Sequence, residues 1–258
     1  MGQKSFYSYR VEPQDVDFTL RATLPALGVS ILNVAGADAH GKGFGVDALN
    51  ADNHSWVLSR MAIEVDERPQ QYTDYTVATW INEYGRVLST RNFTLSDASG
   101  HEFARAVTQW AMIDLTTRTA VDLSWVGRAH NEAIVDEPSP AEKPRKIRSV
   151  EPERFVEHRV VYSDIDFNRH VNTMRYIEMC LDMLPVECFA RDGGMRLDIH
   201  FLHECRYGEL LRVGCQTREG ETLFEIRNEA GEAAVRAAIS WREPGRKPGR
   251  GRGGEQER

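Results

Sequence analysis

Apolar side chains fall three or four residues apart at Leu24, Leu27, Ile31 and Val34, and again at Met174, Ile177, Leu181 and Leu184. That spacing puts one apolar stripe on the face of a helix. The first helix has Pro25 in a tolerated first-turn position and Gly36 as its expected stop; the second has Asn172 as N-cap and Pro185 as its limit. Beyond each helix the pattern turns strand-like, with runs at 56–65, 75–81, 87–95 and 104–113 after the first and at 197–204, 210–216, 222–227 and 234–241 after the second. Gly85, Gly100, Gly220 and Gly231 punctuate these runs as hairpin turns. A helix followed by a meander, twice over, predicts an α+β architecture in which each sheet wraps its helix.

The two halves also repeat in sequence. R-V-E-P-Q-D-V-D-F-T-L-R at 10–21 returns as R-V-V-Y-S-D-I-D-F-N-R-H at 159–170, displaced by 149 positions. Phe93, Gly100, Arg105 and Trp110 return as Phe224, Gly231, Arg236 and Trp241, displaced by 131, so the first half holds about 18 more residues between its landmarks. The repeat predicts a first unit at 1–130, a proline-bearing linker at 131–150, a second unit at 151–243, and a disordered Arg/Gly-rich tail at 244–258. The copies differ in reactive side chains: Thr19 is replaced by Asn168 and Arg21 by His170. Chemistry is therefore expected from the second copy.

Composition narrows the setting. The net charge of −7 over 258 residues argues against general nucleic-acid binding, which demands clustered Lys and Arg. No run approaches the roughly 18 apolar residues needed to cross a bilayer, so no stable membrane insertion is expected. The opening M-G-Q-K-S-F-Y-S-Y-R carries neither the apolar stretch of a signal peptide nor a transit-like segment, and a cytoplasmic protein is the expectation. Cys180, Cys188, Cys205 and Cys215 lack C-x-x-C spacing, which predicts reduced thiols and no zinc knuckle. Neither a cofactor nor a metal is expected; His200 and His203 with Cys205 raise a metal reading, but strand alternation would set the two histidines on opposite faces. The sequence leaves oligomeric state open, a homo-oligomer included.

The second copy carries D-I-D-F-N-R-H-V-N at 164–172 ahead of its helix, and H-F-L-H-E-C-R at 200–206 near a strand end. Together with G-F-G at 43–45 and W-V-L-S-R-M at 56–61, these motifs closely resemble the plant and bacterial acyl-acyl carrier protein (acyl-ACP) thioesterases, with D-x-N-x-H-V-N-N and a later R-R-E-C. The resemblance implies a tandem hotdog fold and hydrolysis of the thioester between a fatty acyl chain and the phosphopantetheine arm of acyl carrier protein. It also implies Asp166, Asn168, His170 and Glu204 as the functional set. Thr173 stands where the motif has a second Asn, and Leu202-His203 stand for Arg-Arg, which bears on carrier contacts more than on the reaction.

Thioester hydrolysis needs an activated water or nucleophile and donors for the developing oxyanion, and a helix N-terminus suits the latter. In this reading Glu204 is the general base, Asn168 and His170 position water and thioester, and Asp166 orients them. A rival uses Cys205 with His170 and Asn168 as a thiol nucleophile set; strand alternation would turn Glu204 and Cys205 to opposite faces. Asp164 and Asp166 also fit a bland role as turn and capping residues. In the first half Arg68 takes the place of Glu204, so that half is expected to bind the acyl chain without catalysing. Acidic carrier protein would dock on a basic surface, for which Lys143, Arg145, Lys146 and Arg148 are the expectation. An acyl-CoA thioesterase, a hydroxyacyl-carrier dehydratase and a non-catalytic acyl-sensing module are the alternatives.

Overall fold

A computed structural model describes residues 2–242; the tail expected over 244–258 lies outside the described residues. In chain order the first half is β1 (Ser5–Arg10), α1 (Leu24–Gly41), α2 (Val46–Ala51), β2 (His54–Val65), β3 (Asp74–Tyr84), β4 (Ser89–Asp97), β5 (Glu102–Asp114) and α3 (Ser124–Ala129). The second is β6 (Arg154–Arg159), α4 (Thr173–Leu181), β7 (Gly194–Phe201), β8 (Leu210–Arg218), β9 (Glu221–Arg227) and β10 (Ala233–Arg242). All ten strands join one sheet in the order β1-β3-β4-β5-β2-β7-β10-β9-β8-β6. Read outward from the centre, each half uses its strands in the same order, so the sequence repeat is a repeat of topology.

The halves meet at β2 and β7, which pair antiparallel with Ile63 opposite Leu197 and Met61 opposite Ile199. Those residues, with Val65 and Met195, are buried in the core under the helices. The intervening positions point to the other face, where Glu64 lies opposite Arg196 and their side chains pair at 2.5 Å. Arg105 at 3.5 Å and Arg242 at 3.4 Å also reach Glu64. A slip of one residue would carry Glu64 into the apolar side and Ile63 out of it, so register at the seam is fixed from both faces.

Each helix is held by packing. Nine residues are too few for α4 to be stable alone. It buries Met174, Ile177, Cys180 and Leu181 against the sheet, at roughly 1.5–3 kcal/mol for a fully buried aliphatic side chain. Its start agrees with expectation: Asn172 caps it by accepting the Met174 N–H at 2.8 Å. Its end comes at Leu181, before Leu184 and Pro185. α1 runs through Gly36 to Gly41, because glycine lowers helix propensity without breaking a ladder packed on the sheet. The helices touch where Gly28 faces Met174: an added Cβ would come within 2.5 Å of the Met174 sulfur.

The linker region, whose expected boundaries were 131–150, lies on the sheet. Val135 N–H donates to Ile81 O at 2.9 Å, and every third residue from Pro144 through Ile147 to Val150 is buried. Ile147 and Val150 pack against Ala238. This placement narrows the expected basic surface to Lys146 and Arg148, which stay exposed. Lys143 is paired with Glu83, and Arg145 with Glu221 and, at 3.2 Å, with Asp198, so two of the four cations are committed to carboxylates.

Candidate active site

The segment between β6 and α4 is a braced turn. Asp164 is fully buried; its carboxylate accepts the Val161 N–H at 2.8 Å and meets His158 Nε2 at 2.7 Å and Arg175 Nε at 3.1 Å. Burial pushes the Asp164 carboxyl up, but these donors outweigh it and hold the group below its ordinary range. This stabilisation is present above the unfolded-state value and lost as pH falls through the folded one. Asp164→Asn is expected to cost about 2–3 kcal/mol at neutral pH. In thermal melts the gap from the parent protein should narrow below about pH 4; a gap independent of pH would refute the ionic account.

Asp166 works on the backbone. One of its oxygens accepts the N–H of Asn168 at 2.8 Å and of His170 at 3.3 Å, while its own N–H donates to His170 O at 2.8 Å. Arg169 inside this turn has φ +62°. The capping role weighed for Asp166 is thus visible, and through it the two neighbouring polar side chains are set. Asn168 is exposed, and its amide makes no hydrogen bond within the described residues. His170 pairs in a β-bridge with Arg206, which brings its ring to the loop after β7. There His170 Nε2 stands 3.3 Å from Glu204 Oε2.

The loop holding Glu204 corrects an expectation. β7 ends at Phe201, where the N–H groups of Leu202 and His203 both donate to Ala234 O, at 2.8 and 3.1 Å. Glu204 and Cys205 therefore lie in irregular chain beyond the strand, and strand alternation does not separate them. Burial does. Glu204 is 35 % exposed in its side chain, while Cys205 is fully buried in the main core and burial pushes its thiol pKa up. A group so placed is a poor nucleophile, since the thiolate is the reactive form.

His200, on the face of β7 away from the helices, is buried beside Arg60, Lys146 and Arg236; burial first and then these cations lower its pKa to about 4. His203 is exposed beyond the strand end. Among the described residues no three His, Cys, Asp or Glu side chains gather to hold a metal.

One partner of Glu204 comes from the other half and is not foreseeable from the motifs. Arg118, in the turn after β5, places Nη2 2.5 Å from Glu204 Oε2. Its only local signal is the D-L-T-T-R-T run at 114–119, which predicts an Asx turn and says nothing of where that turn lands.

The first half has the same frame with different contents. Arg21 bridges to Gln70 as His170 does to Arg206, and Ala22 N–H bonds Pro69 O as Val171 N–H bonds Cys205 O, both at 2.8 Å. Arg68 therefore occupies the Glu204 position. It is 7 % exposed, and its guanidinium contacts Asp17 at 2.5 Å, Thr19 Oγ1 at 3.1 Å, Ala22 O at 3.4 Å and, across the halves, Phe189 O at 2.6 Å. Where the second half opens to solvent, the first is filled by a saturated cation.

Comparisons with known proteins place the chain in a family. The profile of the acyl-ACP thioesterase N-terminal domain matches residues 2–124 and that of the C-terminal domain residues 147–243. An acyl-ACP thioesterase from Bacteroides thetaiotaomicron superposes with a TM-score of 0.83 at 37 % identity, covering 92 % of this chain and 97 % of that one. The 12:0-ACP thioesterase of Umbellularia californica shares the fold, with a TM-score of 0.82 at 19 % identity over 94 % of this chain and 98 % of that one. A chloroplastic palmitoyl-acyl carrier protein thioesterase of Arabidopsis thaliana is 26 % identical over 220 residues, 78 % of this chain and 53 % of that protein. The chain spans about half the length of the curated plant proteins it matches first. With both domain profiles matched in order across its two halves, the chain belongs to the acyl-ACP thioesterase family.

Proposed function

We propose that the protein hydrolyses fatty acyl-acyl carrier protein, releasing a free fatty acid and carrier protein with its pantetheine thiol restored. The observation that carries this reading is the 3.3 Å contact between His170 and a solvent-facing Glu204, within the frame that Asp166 holds. Glu204 Oε1 takes no hydrogen bond from the described residues and is left for a water molecule. Glu204 takes a proton from that water as its oxygen adds to the thioester carbon. In this reading Asn168 and the N-terminal end of α4 serve the oxygen that gains charge. Collapse of the tetrahedral intermediate breaks the C–S bond, and the proton held by Glu204 goes to the leaving sulfur. His170 orients the carboxylate and the water. The first half, closed by Arg68, contributes to acyl binding rather than to the reaction. Four free cysteines fit a reducing compartment such as the cytoplasm. No helix among the described residues is long and apolar enough to cross a membrane.

The test is release of free thiol from acyl carrier protein substrates of graded chain length, with matched acyl-CoAs alongside. Faster release from the carrier series supports the reading, equal or faster release from CoA moves it to an acyl-CoA thioesterase, and no release from either removes it. Docking of an acidic carrier is assigned to Arg169 and Arg206, exposed beside His170 and Glu204, in place of Lys143 and Arg145, which are paired. Raising salt should increase KM for the carrier substrate several-fold and leave kcat unchanged; salt-insensitive KM would count against such docking.

A further inference from the structure

We propose that Arg118 is a positioning residue for Glu204, supplied by the first half to a site otherwise built from the second. This rests on the thioesterase reading above. The contact is specific to one oxygen: Arg118 Nη2 and His170 Nε2 both address Oε2, at 2.5 and 3.3 Å, and so fix which oxygen faces the substrate side. Without Arg118, Glu204 would keep one side-chain tether on a loop beyond the end of β7.

The turn carrying Arg118 is built with care. Asp114 Oδ1 accepts the N–H groups of Thr116 at 2.9 Å and Thr117 at 2.7 Å, and Asp114 O accepts that of Arg118 at 2.9 Å. Asn53, just before β2, donates through its amide to Asp114 Oδ2 at 3.1 Å and accepts the Leu115 N–H at 2.8 Å on its backbone oxygen. All of this holds Arg118 at φ +59°, a left-handed conformation that favours glycine. A surface ion pair, 46 % exposed on the Arg118 side and 35 % on the Glu204 side, adds little to stability. Its value lies in aiming the guanidinium at Glu204 from a turn fixed by its own hydrogen bonds.

The experiment uses the full chain and the acyl carrier protein substrate that the thiol-release assay finds fastest. Arg118→Ala and Arg118→Gly should each lower kcat about 100-fold, as a misplaced catalytic group does, with KM little changed. Arg118→Gly should keep or raise the melting temperature, since it relieves the left-handed residue. Arg118→Lys should recover part of the loss, as should millimolar methylguanidinium added to Arg118→Ala. In a Glu204→Ala background, removing Arg118 should change the residual rate no further. Unchanged kcat in the variants, a rise in KM alone, or an equal loss in the Glu204→Ala background would each overturn the proposal while leaving the thioesterase reading intact. A parent protein that releases no thiol overturns both.

Discussion

Glu204→Gln is expected to lower kcat on acyl carrier protein substrates by about a thousand-fold, within the range for losing a general base, while moving the melting temperature by no more than about 2 °C. The amide keeps the size of the carboxylate and a hydrogen bond to His170, but it cannot take a proton from water. Glu204 sits in an exposed loop and buries little, so the loss should fall on the chemical step. Cys205→Ser should retain most of the rate, because the Cys205 thiol faces the core, where burial raises its pKa. Single-turnover kinetics with a slowly hydrolysed acyl chain separates the two schemes. An acyl-enzyme trapped on the protein, lost with Cys205→Ser and kept with Glu204→Gln, would replace the general-base mechanism by nucleophilic catalysis.

Arg68→Ala is expected to produce the opposite pattern, lower stability with retained turnover. The guanidinium is 7 % exposed and saturated by Asp17, Thr19, Ala22 and Phe189. Removing it strands the Asp17 carboxylate and three other acceptors, at a cost of about 3 kcal/mol for one partner of a buried pair. In a chain of this size that lowers the melting temperature by about 6–12 °C. The Asp17 carboxyl, pushed up by burial and pulled lower overall by Thr19 and Arg68, should lose much of that depression. Turnover per folded molecule should hold, since Arg68 lies in the other half's frame. A collapse of kcat with intact folding would mean that the first half takes part in the reaction.

The pattern of apolar positions carries far enough to place both helices and the eight strand runs within a few residues, because alternation and helical spacing are local consequences of burial. Gly36 misleads as a stop, since α1 continues to Gly41 on the sheet beneath it, while α4 does end before Pro185, at Leu181, short of the apolar position at Leu184. The D-x-D-F-N-R-H motif, read as a loop before a helix, already places His170 beside the frame. What local pattern does not hold is the end of β7. Two N–H groups sharing Ala234 O close the ladder at Phe201, and that event depends on a strand some thirty residues on. Arg118 is missed more completely, since its meaning lies in a contact 86 positions away that no periodicity announces. The linker's prolines and charges read as free chain, although its end lies along the sheet, with every third residue from Pro144 to Val150 buried.

The seam between β2 and β7 joins the two halves without regard to dilution. A site that draws Arg118 from one half and Glu204 from the other would, if the halves were separate chains, assemble only in the fraction of molecules that had found a partner, and its specific activity would fall with concentration by mass action. Here six residue pairs along the seam, from Arg60 opposite His200 to Val65 opposite Met195, join halves of the same polypeptide. The encounter is intramolecular and its effective concentration is set by the chain rather than by the solution. Joined in one chain, the two copies can differ in content, with a buried arginine in the first at the position where the second has Glu204.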